Sequence, residues 1–95
     1  MEIMSDLKVT VFAEIARIIG NPAIEVTDDT PLIGDGSVLD SMKLVEVCLA
    51  LEEAANDQGF EFDWTTEAAM SRSRSIFRTA AALADEFARQ KGAQA

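Results

Sequence analysis

Between Leu7 and Ile19 the apolar residues Leu7, Val11, Phe12, Ile15, Ile18 and Ile19 recur at intervals that place them on one side of an α-helix. Ser5 or Asp6 is positioned to cap this helix. Gly20 is positioned to end it in a left-handed conformation, and Asn21-Pro22 prevents it from resuming. From Ala23 to Asp40 the period lapses into a long loop with Pro31, Gly34, Gly36 and four aspartates. Ile24, Val26, Leu32, Ile33 and Leu39 are scattered through it and are expected to pin it to the core, because long slack loops are rare in small domains. A second helical pattern opens at Asp40 or Ser41, with Asp40 as N-cap, and runs to Ala55 or Asn56 before Gly59. Phe60-Glu61-Phe62 alternates like a strand but is too short for a sheet, so it reads as an extended connector with two buried rings. Thr65 or Thr66 is expected to cap a short helical turn reaching Met70. Ser71-Arg72-Ser73-Arg74 forms a polar joint. Ser75 then caps a last helix with Ile76, Ala80, Leu83, Ala84 and Phe87 on its inner face, and the tail from Lys91 to Ala95 is expected to fray. The predicted fold is all-α: a small four-helix bundle with a long loop after the first helix and a short third helix. It forms one domain over residues 1–95, with a folded core of about 5–90.

A chain of 95 residues holds one domain with one modest core and little room for an elaborate internal active site. No apolar run approaches the roughly 18 residues of a membrane span. The opening Met1-Glu2-Ile3-Met4-Ser5-Asp6 is acidic and lacks the basic start of a signal peptide, so a cytoplasmic protein that does not insert into membranes is expected. The net charge of −9 disfavours nucleic acid, whose phosphates would repel it. That charge is concentrated. Eleven acids between Glu25 and Asp63 face only Lys43, whereas six acids and seven bases share the remainder. Such a middle segment is either a plain solvated face or a surface that steers basic partners, and composition does not separate the two.

Much chemistry is excluded by what is missing. There is no histidine, which removes Ser-His triads, histidine metal sites and the commonest general base. The single cysteine, Cys48, can form neither an internal disulfide nor a zinc site, and among Val47, Leu49 and Leu51 it reads as a small buried hydrophobe. The loop aspartates lack the spacing of a calcium loop, and Gly34-Asp35-Gly36-Ser37 is neither a phosphate loop nor a nucleophile elbow. No catalytic residue and no metal ligand is assigned, and the chain is not read as an enzyme.

The second helix is unusual in having two apolar sides. With Ser41 at zero and about 100° per residue, Leu44, Val47, Cys48 and Leu51 cluster on one side. Met42, Val45 and Leu49 cluster nearly opposite, bordered by Glu46 and Glu53. Either the helix is central and buried on both sides, or the second stripe is an exposed patch with an acidic rim, the form a docking surface takes. Ser41 stands at the helix N-terminus, where backbone N–H groups and the dipole favour an attached phosphate, while Asp40 opposes that charge.

At these residues the sequence resembles the acyl carrier protein family. The family's Asp-Ser-Leu motif, opening a helix with a Val-Glu pair and closing on Ala-Leu-Glu-Glu, stands here as Leu39-Asp40-Ser41-Met42, Val45-Glu46 and Ala50-Leu51-Glu52-Glu53. Leu32-Ile33-Gly34-Asp35-Gly36 looks like the loop before the motif. Gly59-Phe60-Glu61-Phe62-Asp63 looks like the link to the third helix, and Ser75-Ile76 like the start of the fourth. The likeness spans about Leu7 to Phe87. It implies that Ser41 receives 4′-phosphopantetheine from coenzyme A through a phosphopantetheinyl transferase, with Asp40 and Met42 flanking the attachment point. The arm then carries acyl groups as thioesters. It further implies a monomer whose Asp40, Met42, Lys43, Val45, Glu46, Leu49 and Glu53 meet the transferase, an acyl-loading enzyme, and acyltransferases or synthases. Ser37 lacks the following helix, and Ser71, Ser73 and Ser75 read as joint and cap residues. Two departures, Lys43 next to the serine motif and Trp64 with Arg72, Arg74 and Arg78 further on, point from housekeeping fatty-acid synthesis to a specialised carrier. Aminoacyl, D-alanyl and peptidyl carriers share the pattern. A bundle that lost its arm and serves as an unmodified acidic interaction module is the alternative from another class.

Overall fold

The computed structural model describes residues 3–34, 36–65 and 73–94. Its first helix, α1 (Ile3–Ile19), buries Leu7, Val11 and Ile15 along one side, as the spacing requires. The helix begins at Ile3, so Ser5 and Asp6 lie within it rather than ahead of it. Gly20 ends it with φ +67°, its N–H bonded to the Ala16 carbonyl. The second helix, α2 (Ser41–Asp57), buries Val47, Cys48, Leu51 and Ala55. Its exit is a Schellman turn. Gly59 adopts φ +86° and donates to Asn56, while Phe60 N–H reaches back to Ala55 at 3.0 Å.

A single helical turn, α3 (Ser73–Ile76), precedes the last helix, α4 (Ala80–Gln94). The last helix therefore starts at Ala80 and not at Ser75. Thr79 takes the N-cap position, its hydroxyl accepting from Ala82 N–H at 3.1 Å. The long loop supplies the rest of the cap: Ala80 N–H donates to Thr30 O at 2.9 Å and Ala81 N–H to Asp28 O at 3.2 Å. Three of the donors that a helix start leaves open are thus satisfied from outside its own turns. The short helix expected from Thr65 or Thr66 to Met70 lies outside the described residues.

Among the described residues the molecule is all-helical and compact, with three long helices, one short turn and no strands. Its radius of gyration of 12.4 Å is close to the roughly 13 Å of a compact 100-residue domain. Helix α1 packs against both α2 and α4. The core formed there is closed by Leu32 and Leu39 from the loop and by Phe60, Phe62, Ile76 and Phe77. Leu32 and Leu39 pin the loop, with Val26 and Ile33 packed against the same core, whereas Ile24 is half-buried outside it. Pro31 and Thr79 form an isolated antiparallel bridge, and Val38 N–H bonds to Pro31 O.

The 60–64 connector is neither helix nor strand, and its buried Phe60 and Phe62 rings meet Phe87 at centroid distances of 5.1 and 5.4 Å. Its outer edge is held by two glutamines one turn apart on α4. Gln90 accepts from Asp63 N–H at 2.6 Å and donates to Asp63 O at 2.8 Å; Gln94 does the same for Glu61 at 2.9 and 2.8 Å. Two side-chain amides thus replace a neighbouring strand. Buried Glu86 joins this network, accepting from Gln90 Nε2 and, in a fork, from Arg89. The segment expected to fray is helical through Gln94, and Lys91 Nζ also reaches Gln58 Oε1 at 2.9 Å.

Candidate functional site

Ser41 is the first residue of α2 and is exposed. Asp40 before it is extended at φ −87°, ψ 179°, and its Oδ1 accepts from Lys43 N–H at 2.8 Å. Its own carbonyl takes the Leu44 N–H at 2.9 Å. This cap fixes the direction in which the chain enters the helix, and with it the outward position of Ser41. No acidic residue lies in the first turn of α2, so the positive end of the helix dipole beside the serine is not cancelled from within the helix. A pocket of about 340 Å³ opens at this point, walled by Leu32, Ile33, Leu39 and Leu44 with Ser37, Asp40 and Ser41 at its polar side. Ser37 donates its hydroxyl to the Leu39 carbonyl at 3.1 Å, which leaves it a loop-shaping residue.

The two sides of α2 separate as their angles require. Val47, Cys48 and Leu51 are buried. Met42, Val45 and Leu49 are 79%, 44% and 53% exposed on the opposite side, and Glu46 and Glu53 are exposed beside them. Asp40, Ser41, Met42, Val45, Glu46, Leu49 and Glu53 therefore share an accessible surface. Lys43, placed among the partner-facing residues above, behaves differently. It is half-buried, and its Nζ donates to the Ile18 carbonyl at 3.2 Å, capping the C-terminus of α1. Its charge is engaged with α1 rather than spread over the outer surface.

Arg17 is the residue that sequence reasoning missed here. Its Nε donates to Glu14 Oε1 at 2.9 Å, and its guanidinium is held above the usual arginine range, first by that hydrogen bond and Glu14's charge, and further by the fields of Glu53 and Glu46. The acidic edge of α2 thus has a cation from α1 in its field. Helical periodicity places residues on faces of their own helix and gives no sign of what a neighbouring helix brings alongside.

Cys48 does not belong to this surface. It is buried, and its thiol is pushed up to about 12 from 9.0, chiefly by burial and secondarily by Glu52. A thiol held neutral in that way is a packing residue and not a nucleophile. Among the described residues no group of three His, Cys, Asp or Glu is placed to hold a metal ion, and no helix is long and apolar enough to cross a membrane. A groove of about 670 Å³ runs between α1 and residues 24–26 beside Val9, Phe12 and Ala16, away from Ser41. No protein-family model matches the chain, and no curated protein or solved structure is significantly similar to it.

Proposed function

We propose that the chain is a carrier protein of acyl-carrier type, bearing a 4′-phosphopantetheine arm on Ser41 and presenting acyl cargo to partner enzymes. The observation that carries this reading is the juxtaposition on α2 of an exposed serine at a capped helix start and an uncovered apolar stripe with an acidic edge. A serine that only capped or packed would not need an uncovered apolar surface beside it.

The residues present suit the arm. Ser41 Oγ is accessible to a transferase, and the first turn of α2 offers its dipole to the phosphate. Ile33, Leu39 and Leu44 give apolar walls against which the arm can lie. In the loading step Ser41 Oγ attacks the phosphorus that bears the pantetheine in coenzyme A. The new O–P bond replaces the bond to the nucleotide phosphate, which departs, and the serine proton passes to a base on the transferase. When attached, the arm supplies a thiol that holds acyl groups as thioesters. The chain's own task is to fix where that arm begins, through the Asp40 cap, and to dock partners on Met42, Val45 and Leu49. The cargo class is not specified by these residues.

The test is intact mass after incubation with coenzyme A and a promiscuous phosphopantetheinyl transferase. A gain of one phosphopantetheine that maps to Ser41 is the expected result. Ser41→Ala should take up nothing while losing less than about 1 kcal/mol of stability, since the cap resides in Asp40. An unchanged mass, or an arm found on Ser37, would overturn the assignment and leave an unmodified interaction module.

A further inference from the structure

Helix α2 carries two sulfur atoms, and the fold treats them in opposite ways. Cys48 is 1% exposed and sealed in the core, whereas Met42 is 79% exposed, more than Val9, Val45 or Leu49. Met42 directly follows Ser41 in the first turn of α2 and stands at the end of the uncovered stripe that continues through Val45 and Leu49. A side chain left that open adds little burial to the fold and is free to touch something else. As a thioether it is apolar and adaptable, which suits contact with a partner. It also undergoes a reaction closed to valine and leucine, oxidation to the sulfoxide, and exposure is what makes a methionine susceptible.

We propose that Met42 is a reversible oxidation site that switches the docking surface of α2. This rests on the carrier reading above and adds a means of regulating that same site. In the forward step the Met42 Sδ lone pair attacks one oxygen of hydrogen peroxide. An S–O bond forms as the O–O bond breaks, and the other oxygen departs as hydroxide, taking the proton of the transferred oxygen to become water. Sulfur is oxidised and the peroxide reduced. In the return step a dithiol reductase removes the oxygen as water and is left as a disulfide. The sulfoxide is polar where the stripe was apolar, so seating it in an apolar socket carries a desolvation loss that the thioether does not. The fold is spared, because Met42 is not part of the core, and Cys48, sealed within it, is out of the oxidant's reach.

The experiment treats the full chain briefly with hydrogen peroxide, removes the peroxide, and maps the added oxygen by peptide mass. It then compares kcat/KM for phosphopantetheine transfer before and after treatment, with coenzyme A and a phosphopantetheinyl transferase. Met42 is expected to take up oxygen, and kcat/KM should fall roughly five- to tenfold, mainly through KM. The pair of methionine sulfoxide reductases that covers both sulfoxide epimers should restore the starting rate. Met42→Leu keeps an apolar side chain without the sulfur. Whatever its own untreated rate, treatment should leave that rate unchanged, which accounts for any oxidation at Met1, Met4 and Met70. Circular dichroism checks that the oxidised chain remains folded. Met42 left unmodified while other methionines react, oxygen on Met42 with no change in rate, an equal fall in Met42→Leu, or a fall that tracks lost helicity would each overturn the inference while the carrier reading stands. Failure of the untreated wild type to accept the arm would instead remove the carrier reading, and the inference with it.

Discussion

At the scale of single residues, Leu49 and Leu51 are the sharpest comparison in the molecule. They are two positions apart on α2 and point about 160° away from each other. Leu51 is fully buried, while Leu49 is about half exposed. Leu51→Ala should cost roughly 2–5 kcal/mol, the range for emptying a leucine site in a core. Leu49→Ala should cost less than about 1 kcal/mol and act mainly on partner binding. Urea melts of both variants check this; equal, large losses would mean that α2 is covered on both sides. Cys48 gives a prediction in pH. Its thiol is held up at about 12 in the folded chain against an ordinary 9.0. A group raised on folding contributes fully below the unfolded value and loses its contribution as pH climbs towards the folded one. Wild-type stability should therefore fall between about pH 9 and 12 by more than that of Cys48→Ala, measured by urea melts at pH 7 and pH 10.5. A parallel decline in both proteins would show that Cys48 is not the group responsible.

At the scale of elements, α1 and α2 could be read from the chain because each carries its own face, stop signal and glycine. The Asp40 cap and the left-handed Gly20 are local facts, and local facts are what residue order records. The start of α4 was misread for the same reason. Ser75 has the chemistry of a cap, but the donors of α4 are taken by Thr30 and Asp28, which come from a loop some fifty residues earlier. The Gln90 and Gln94 clasp was equally illegible. Two polar residues four apart on a helix look like solvated surface until Glu61 and Asp63 are laid alongside them. At the candidate site, Ser41 and the two stripes of α2 were visible in the spacing, whereas Arg17 and the capping role of Lys43 belong to the packing of α1 on α2. The clasp is testable. Gln90 is buried and bonds Asp63 at both backbone groups as well as Glu86, so Gln90→Ala removes three hydrogen bonds at a buried site and should cost roughly 1–3 kcal/mol. Gln94→Ala, at an exposed site, should cost under about 1 kcal/mol. Thermal melts of the two variants give the comparison, and similar losses would mean that burial does not govern the clasp.

At the scale of the whole molecule, charge and fold are arranged against each other. The chain carries a net −9, and the stretch from Glu25 to Asp63, which includes all of α2, carries more than the whole of it, with eleven acids against Lys43. Self-repulsion of that kind weakens a small domain, so an acidic stretch is expected to cost stability and aid association with basic surfaces. The two effects can be separated at Glu46, which is exposed. If the acidic edge serves docking, Glu46→Lys should leave stability unchanged or slightly raised while slowing association with a phosphopantetheinyl transferase several-fold. The wild-type rate should fall as salt rises, and the variant's should respond less, because there is less attraction left to screen. Melting temperature and association rate, measured on the same two proteins across a salt series, decide the matter. A loss of stability would place Glu46 in the framework of the fold. A rate indifferent to both the substitution and the salt would mean that the acids of α2 are plain solvated surface, and that partners find Ser41 by the apolar stripe alone.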